Sequence, residues 1–388
     1  MTATSTPNQP EPQRRGGFLS FERQLRITYA LALGLAVVYA ALIIRSADAV
    51  GTLGYDYLAY DLAVDRLLAG QPIYDATAQE FGPFGLFFYP PPFLLLVLPV
   101  ALLPQGLAIW TWTVLLAAAS VAAVAIMPVA RRTFWWVLLL AALSWPLLYA
   151  IKLGQVGPIA LLLFAIGWRW LDQPRPLGLS IGLGTVIKVQ PALLIGWAIV
   201  TGRRQAAVVA VALVAVLGIV ATIVTGPGAW FDLASLLARV SKPIETPNAF
   251  GVGRLAFEAG ASFELATLLH WANFALAVLL VAVTALRGSA VAGYMAVVVA
   301  SQFLSPVLWD HYALVLLLPT AWLLDRGRQW AAAIPLVTST PLVLMQIGVP
   351  AAYPIAFWVT LLALAWEGGV LRTLRAQGNP VSDGMLAA

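Results

Sequence analysis

Long apolar stretches separated by short polar connectors run through almost the whole chain. A helix that crosses a bilayer needs about 20 consecutive apolar residues, and most of these stretches approach that length. The pattern predicts an all-α, polytopic integral membrane protein whose transmembrane domain covers 26–371. The apolar stretches are 26–46, 87–103, 105–128, 134–150, 157–171, 176–201, 206–225, 264–286, 290–305, 312–324, 330–348 and 354–371.

We expect about 12 spans with both chain ends inside, because positive residues concentrate in the connectors assigned to the inner side. Two regions complicate this count. By length, 87–128 makes two spans. Because the first loop is expected outside and Arg131 and Arg132 inside, an odd number of spans should separate them, so one piece of 87–128 would be partial or re-entrant. The stretch 176–201 is interrupted at Lys188, which predicts a hairpin of two short helices with Lys188 near its outer tip.

The two ends of the chain are polar. Residues 1–25 are predicted to be a disordered, cytoplasmic N-terminus, since they begin with a Pro-rich polar segment. Residues 372–388 are predicted to be a cytoplasmic tail. Arginine is common in the connectors, so the net charge of +5 reflects membrane orientation and does not indicate nucleic-acid binding.

The first loop, 47–86, is the most polar internal segment. It has six acidic residues and a single basic residue, Arg66, which fits the outer side of the membrane. Within it, apolar residues from Tyr57 to Leu68 recur at roughly helical spacing. They predict an amphipathic helix that lies in the interface and ends at Gly70.

Composition removes several kinds of chemistry. Only 10% of the residues are charged, against about 25% in ordinary soluble domains. The chain has no cysteine, which excludes disulfides and thiolate catalysis, and its two histidines, His270 and His311, disfavour a multi-histidine metal site. No cofactor and no metal site are predicted, although a divalent metal stays open.

The predicted topology brings four polar segments to the outer face. Together they supply an acid, a histidine, cations and aromatic rings. Transfer of a sugar from a lipid phosphate needs a base for the acceptor hydroxyl and cations for the departing phosphate. The segments are 56–75, 152–155, 246–254 and 305–312.

The chain also resembles glycosyltransferase family 87 of the GT-C superfamily. The resemblance covers roughly 25–330 and is carried by an ordered set of motifs. They are D-Y-x-x-Y from Asp56, Y-P-P-P-F from Tyr89, G-Q-V from Gly154, K-x-x-P-A-L-L from Lys188 and S-P-x-x-W-x-H-Y from Ser305.

The resemblance implies an inverting transfer of a hexose, most simply mannose, from a polyprenyl-phosphate donor to a lipid or glycan acceptor. The reaction would occur on the outer face of a bacterial cytoplasmic membrane. Asp56 would be the catalytic base, with His311 as a second catalytic residue and Lys188 on the donor phosphate. Two family motifs differ here: the Asn of G-Q-V-N is replaced by Gly157, and an Asn-rich loop is reduced to Asn248.

Five further residues in the outer segments suit substrate binding. Arg254 could bind the donor phosphate or a lipid headgroup. The candidates for binding the sugar or acceptor are Tyr60, Gln155, Asn248 and Asp310.

Simpler explanations exist for several of these residues. Asp56 could be an N-cap of the amphipathic helix, because Asp is a favoured capping residue. We expect Asp61 and Asp65 to lie on the solvated face of that helix, and His270 to be an interfacial histidine. A transporter or flippase of lipid-linked sugars, or a non-catalytic subunit of envelope-glycan assembly, are the alternative functions, although the chain has no convincing inverted repeat.

Overall fold

A computed structural model describes residues 21–75, 86–343 and 349–371. Every regular element in those ranges is a helix, which confirms the all-α prediction. Helix α1 (Phe21–Ala49) begins before the first apolar stretch, so residues 21–25, predicted to be disordered, are helical instead. The rest of the predicted N-terminus and the predicted tail 372–388 lie outside the described residues.

Eighteen α-helices and three short 3-10 segments make up the described part of the chain. After α1 they are α2 (Tyr57–Leu68), α3 (Pro91–Ala101), α4 (Gln105–Ile126), α5 (Arg131–Ala142), α6 (Trp145–Leu153), α7 (Gly157–Arg169), α8 (Pro174–Ile187), α9 (Leu193–Val200), α10 (Arg204–Thr225), α11 (Gly228–Val240), α12 (Val252–Glu258), α13 (Phe263–Arg287), α14 (Ala290–Phe303), α15 (Leu317–Asp325), α16 (Ala333–Val337), α17 (Thr340–Val343) and α18 (Ala352–Glu367), with 3-10 turns at Gln190–Ala192, Asp310–Leu316 and Gln329–Ala332.

Four of these helices, α1, α4, α10 and α13, are individually long and apolar enough to cross a bilayer. A fifth span results if α5 and α6, which meet at an angle of 55°, count as one bent helix. Other apolar helices of the described chain have 10–17 residues. The predicted count of about 12 spans therefore stays a prediction. In the ambiguous region 87–128 the first piece is the short one, since α3 has 11 residues and α4 has 22.

Helix breaks follow local sequence. Ser144 caps α6 by accepting a hydrogen bond from the Leu147 N–H, and Pro146 lies in the first turn, where proline is tolerated. Lys188 ends α8 in an extended conformation, with φ −151° and ψ 140°, and Pro191 lies in the 3-10 turn that leads into α9. The predicted interruption of 176–201 into two short helices is thus confirmed.

Two helices, α11 and α12, were absent from the sequence prediction. Helix α11 is amphipathic and buries Ala229, Leu233 and Leu236, while Phe231 on its other side is largely exposed. Its apolar residues recur at helical spacing in a segment that lies between two of the predicted apolar stretches, 206–225 and 264–286. Periodicity was the signal that could have identified it.

Buried side chains form two clusters. The larger cluster is centred on α7, α14, α18 and the 3-10 segment Asp310–Leu316. The smaller one joins α2 to α3, α4 and α11, and it is rich in aromatic residues. The functional candidates of the first loop belong to the smaller cluster, and those of the 3-10 segment lie against the larger one.

Helices α8 and α10 pack very closely because α8 presents glycines to its neighbour. A Cβ atom at Gly178 would lie 2.5 Å from the carbonyl oxygen of Ala206, and one at Gly182 would lie 3.0 Å from that of Ala210. Small residues four positions apart commonly allow such an approach between membrane helices. Gly196, in α9, has no such neighbour within 4 Å.

We expect Gly178→Ala to lower the stability of the protein, because the new methyl group meets backbone atoms that cannot rotate away. Overpacking of this kind costs about 1–3 kcal/mol. Gly196→Ala is the matched control, since it gains the same helix propensity without a close contact. Thermal unfolding of both purified variants, followed by tryptophan fluorescence, tests this. Equal melting temperatures would show that α8 and α10 adjust freely.

Candidate active site

Asp56 is fixed by the backbone of a distant helix. The Asp56 N–H donates to the carbonyl of Leu153, at 2.7 Å, and the Gly54 N–H donates to the carbonyl of Lys152, at 2.9 Å. These two bonds join the segment just before α2 to the end of α6. The backbone of Asp56 is therefore held in place by hydrogen bonds that do not involve its side chain.

Gly154 permits the close approach of these two segments. Its φ is +78°, in the left-handed region that favours glycine. A Cβ atom there would also lie 2.8 Å from the Cβ of Tyr57. Only glycine therefore fits at the end of α6. The next residue, Gln155, lies within hydrogen-bond distance of the Asp56 side chain.

The Asp56 carboxylate accepts a hydrogen bond from Gln155 Nε2 on its Oδ2 atom, at 2.5 Å. Asp56 occupies the N-cap position of α2 but makes no side-chain capping bond to it, so capping does not account for its carboxylate. Burial raises the pKa of Asp56 above the usual aspartate value, while the nearby His311 and Lys188 and the Gln155 hydrogen bond act in the opposite direction.

Lys188 and His311 reach the same place from other parts of the chain. Lys188 Nζ lies 3.8 Å from the centroid of the Tyr312 ring, a cation–π contact. His311 is only 5% exposed, and neither ring nitrogen has a hydrogen-bond partner in the described part of the chain. Both side chains line one cavity together with Gln155. A buried imidazole without partners is a group that a ligand can satisfy.

Asp310 holds the segment that carries His311. Its Oδ2 atom accepts a hydrogen bond from Trp145 Nε1, at 3.0 Å, and its Oδ1 atom accepts one from the His311 N–H, at 2.7 Å. Oδ1 also lies 3.6 Å from His311 Nδ1, within ion-pair range. Asp310 thus already has protein partners, whereas our sequence analysis had placed it among the sugar-binding or acceptor-binding residues.

The remaining candidates lie in other surroundings. Tyr60 is completely buried in the aromatic cluster and donates to Tyr89. Arg254 donates to Glu258 and to the carbonyls of Ile244 and Glu245, so its guanidinium joins parts of its own segment. Asn248 is exposed and has a left-handed φ of 59°, a conformation that asparagine tolerates better than most residues.

One of the simpler expectations is wrong. Asp61 was expected on the solvated face of α2, yet it is only 9% exposed and accepts a long hydrogen bond from Gln105 Nε2, at 3.4 Å. Helix α2 turns that face towards α4 as well as towards α3. Asp65, one turn later, is exposed as expected.

Sequence reasoning missed three residues at this site. Tyr89 donates to Gln155 Oε1, at 2.8 Å, and Gln302 and Tyr312 line the cavity. Tyr89 and Tyr312 belong to quoted motifs, and Gln302 is a buried amide in the otherwise apolar α14. A polar residue inside an apolar helix was the available signal for Gln302.

Comparison with known proteins places these residues in a family. The sequence profile of glycosyltransferase family 87 matches residues 87–318, more than half of the chain. The chain belongs to glycosyltransferase family 87. The resemblance derived from the motifs is therefore confirmed. Gln155, Lys188 and His311 lie inside the matched range, whereas Asp56 precedes it.

One curated relative of this family 87 protein is the polyprenol-phosphate-mannose-dependent alpha-(1-2)-phosphatidylinositol pentamannoside mannosyltransferase of Mycobacterium tuberculosis (strain CDC 1551 / Oshkosh). The two sequences are 28% identical over 304 residues. The aligned region covers 70% of this chain and 66% of the relative, slightly less than two thirds of its length. No solved structure matches the chain.

Gly157, which replaces the Asn of the family motif, lies against a leucine side chain in this family 87 member. Gly157 begins α7 and lines the cavity. A Cβ atom there would lie 2.5 Å from Leu314 Cδ2, so the leucine side chain occupies the space that a larger residue would need. Leu314 itself lines the same cavity.

We expect Gly154→Ala to reduce stability and to disturb the contact between Gln155 and Asp56. The left-handed conformation alone costs about 1–2 kcal/mol for a residue with a side chain. Gly202→Ala is the matched control, because Gly202 has a φ of +79° and no neighbour within 4 Å. Thermal unfolding of both variants isolates the contribution of the close approach to Tyr57. Equal losses would mean that this contact is unimportant.

Proposed function

We propose that this protein is a membrane glycosyltransferase that moves a mannosyl group from a polyprenyl-phosphate donor to a hydroxyl group of a lipid or glycan acceptor. The observation that carries the proposal is the convergence of Asp56, Lys188 and His311 at one buried site, supported by membership of family 87. The donor and the sugar are taken from the name of the mycobacterial relative, and the acceptor is a hydroxyl of the same general class.

In the proposed reaction, the acceptor oxygen forms a bond to the anomeric carbon while the bond from that carbon to the phosphate oxygen breaks. The electron pair of the breaking bond leaves with the phosphate. Asp56 takes the proton from the attacking hydroxyl. Because the attack is a single displacement from the opposite face, it inverts the anomeric configuration, so a β-linked donor gives an α-linked product.

The environment of Asp56 suits this role. Burial raises its pKa, and a base becomes stronger as its pKa rises towards the working pH. Gln155, Lys188 and His311 oppose that rise, so the carboxylate can remain ionised, as a base must be. Activity should therefore fall as the pH is lowered through the pKa of Asp56, at a pH above that expected for an exposed aspartate.

Two groups suit the departing phosphate. Lys188 has no salt-bridge partner among the described residues and is held over the Tyr312 ring. The unsatisfied His311 nitrogens can bind phosphate oxygens or assist proton transfer. Positioned cations stabilise the charge that develops on a leaving group. Arg254 would contribute to phosphate binding only by exchanging its present partners.

We propose that the reaction takes place on the outer face of a bacterial cytoplasmic membrane. The acidic first loop supports this orientation, because its excess of carboxylates is typical of the side opposite to the positive connectors. The described residues contain no group of three or more His, Cys, Asp or Glu side chains arranged for a metal ion. No metal is assigned a role in the proposed mechanism.

We expect Asp56→Asn to reduce mannosyl transfer about 10²- to 10⁴-fold, the usual effect of a general base. The amide keeps an acceptor for Gln155 and removes a buried charge, so the fold should be retained. The measurement is transfer of radiolabelled mannose from polyprenyl-phosphate-mannose to membrane lipids. Asp65→Asn, an exposed position on the same helix, is the control.

Three results would contradict the proposal. Equal transfer by wild type and Asp56→Asn would show that the base has been misassigned. Donor binding without transfer by either protein would favour a flippase. A protein that neither binds nor transfers the donor, yet supports envelope-glycan assembly in cells, would be the non-catalytic subunit.

We expect Lys188→Gln to weaken donor binding about 10- to 100-fold, because one charge-assisted hydrogen bond to phosphate is lost. Lys152→Gln is the control, since Lys152 also lies near an aromatic ring, 5.6 Å from the Tyr149 centroid. Binding is measured with polyprenyl-phosphate-mannose and with the sugar-free polyprenyl phosphate. Unchanged affinity for both would remove Lys188 from the phosphate site.

A further inference from the structure

Three hydrogen bonds lead in one direction towards the Asp56 carboxylate. Tyr60 donates its hydroxyl hydrogen to the Tyr89 hydroxyl, at 2.9 Å. Tyr89 donates to Gln155 Oε1, at 2.8 Å, and Gln155 Nε2 donates to Asp56 Oδ2. Every donor in this series points towards Asp56. Hydrogen bonds arranged in this way polarise one another and become stronger together.

The Gln155 amide is the part of the series whose orientation matters most. Its nitrogen and oxygen ends are nearly equal in size, so packing alone does not choose between them. With Nε2 towards Asp56 the amide stabilises the ionised carboxylate. With Oε1 towards Asp56 two acceptors would face each other, and the amide would favour the protonated acid instead. The Tyr89 oxygen already accepts a hydrogen bond from Tyr60, so its hydrogen is left to donate to Gln155 Oε1. This favours the orientation with Nε2 towards Asp56.

Tyr89 is well suited to hold one orientation. It is 6% exposed, and its ring packs against Tyr60 and Phe93, with centroid distances of 5.0 and 4.8 Å. Pro90 follows it directly and restricts its backbone conformation. A tyrosine phenol ionises only at a pH of about 10, so Tyr89 remains a neutral donor over the range in which Asp56 titrates.

We infer that Tyr89 is a positioning residue for the transfer reaction: it fixes the Gln155 amide so that Nε2 faces Asp56 Oδ2. The other carboxylate oxygen, Oδ1, accepts no hydrogen bond from the described residues and is the atom that takes the proton of the acceptor hydroxyl. The inference rests on the proposed function, because it assigns how the base of that reaction is kept ionised.

Several other groups near Asp56 can influence its titration. They are Tyr55 in the first loop, Tyr60 in α2, Tyr149 in α6, Lys188 after α8 and His311 in the 3-10 segment. Of these, Tyr60 also loses a hydrogen-bond acceptor when Tyr89 loses its hydroxyl. The Gln155→Ala background described below separates that loss from the loss of the Tyr89 bond to Gln155.

The test compares Tyr89→Phe with Tyr74→Phe in the purified full-length protein. Both changes remove one buried hydroxyl from the same aromatic cluster, but only Tyr89 donates to Gln155. We expect Tyr89→Phe to move the acid limb of the kcat/KM profile upward by about one pH unit, the effect of one lost hydrogen bond to an ionised carboxylate. It should lower kcat at neutral pH with little change in the KM for donor.

Tyr74→Phe should leave the acid limb in place. In a Gln155→Ala background, the change at Tyr89 should have no further effect on the limb, because the two residues act through one amide. An unmoved acid limb in Tyr89→Phe, or an equal shift in Tyr74→Phe, would overturn the inference. Either result would mean that Tyr89 serves only the packing of the cluster.

A second measurement separates this inference from the proposed function. The protonation of Asp56 can be followed without turnover by infrared difference spectroscopy of protein labelled with ¹³C-aspartate, with Asp56→Asn identifying the band. We expect the band of the protonated acid to persist to higher pH in Tyr89→Phe. If wild type transfers no sugar but this shift is seen, the proposed reaction fails while the role of Tyr89 stands. No shift in the spectra would refute the role of Tyr89 even in an active enzyme.

Discussion

The site depends on the contact between the first loop and the end of α6. Two backbone hydrogen bonds and one left-handed glycine bring Asp56 within reach of Gln155, although the two residues are 99 positions apart in the sequence. The rest of the site then follows from this contact. Lys188 and His311 act on a carboxylate that is already placed, and Tyr89 holds the amide that touches it. A partly buried carboxylate such as that of Asp56 is expensive unless hydrogen bonds and charges support it, and the structure supplies both.

Short and broken helices serve this arrangement. Lys188 lies where α8 ends, and His311 lies in a 3-10 segment before α15, so both side chains project from interruptions in apolar elements. Non-helical backbone at such positions is tolerated when it lies against protein or lines a cavity. Such interruptions divide apolar stretches into shorter helices; among the described helices, four, or five with the bent pair, are long enough to span a bilayer on their own.

The sequence predicted the helical class, the break at Lys188 and the first-loop helix, because each leaves a local signal in hydrophobicity, charge, proline or glycine. It also indicated Asp56 as the base, but could not exclude a capping role, since capping and catalysis require the same residue type. Asp61 was misplaced because one residue can face a neighbouring helix that periodicity does not reveal. Tyr89 was missed because its role depends on Gln155, which only the folded chain brings to it.

The hydrogen bonds behind Asp56 also determine where protons can travel. Hydroxyl groups can relay a proton by accepting one and releasing another, but a carboxamide has no such route through its –NH₂ group at neutral pH. Gln155 therefore insulates Asp56 from the two tyrosines, even though it binds them in one series. A proton taken up by Asp56 has no exit through the aromatic cluster. In the proposed reaction the proton would have to leave Asp56 through its other carboxylate oxygen, on the side away from Gln155.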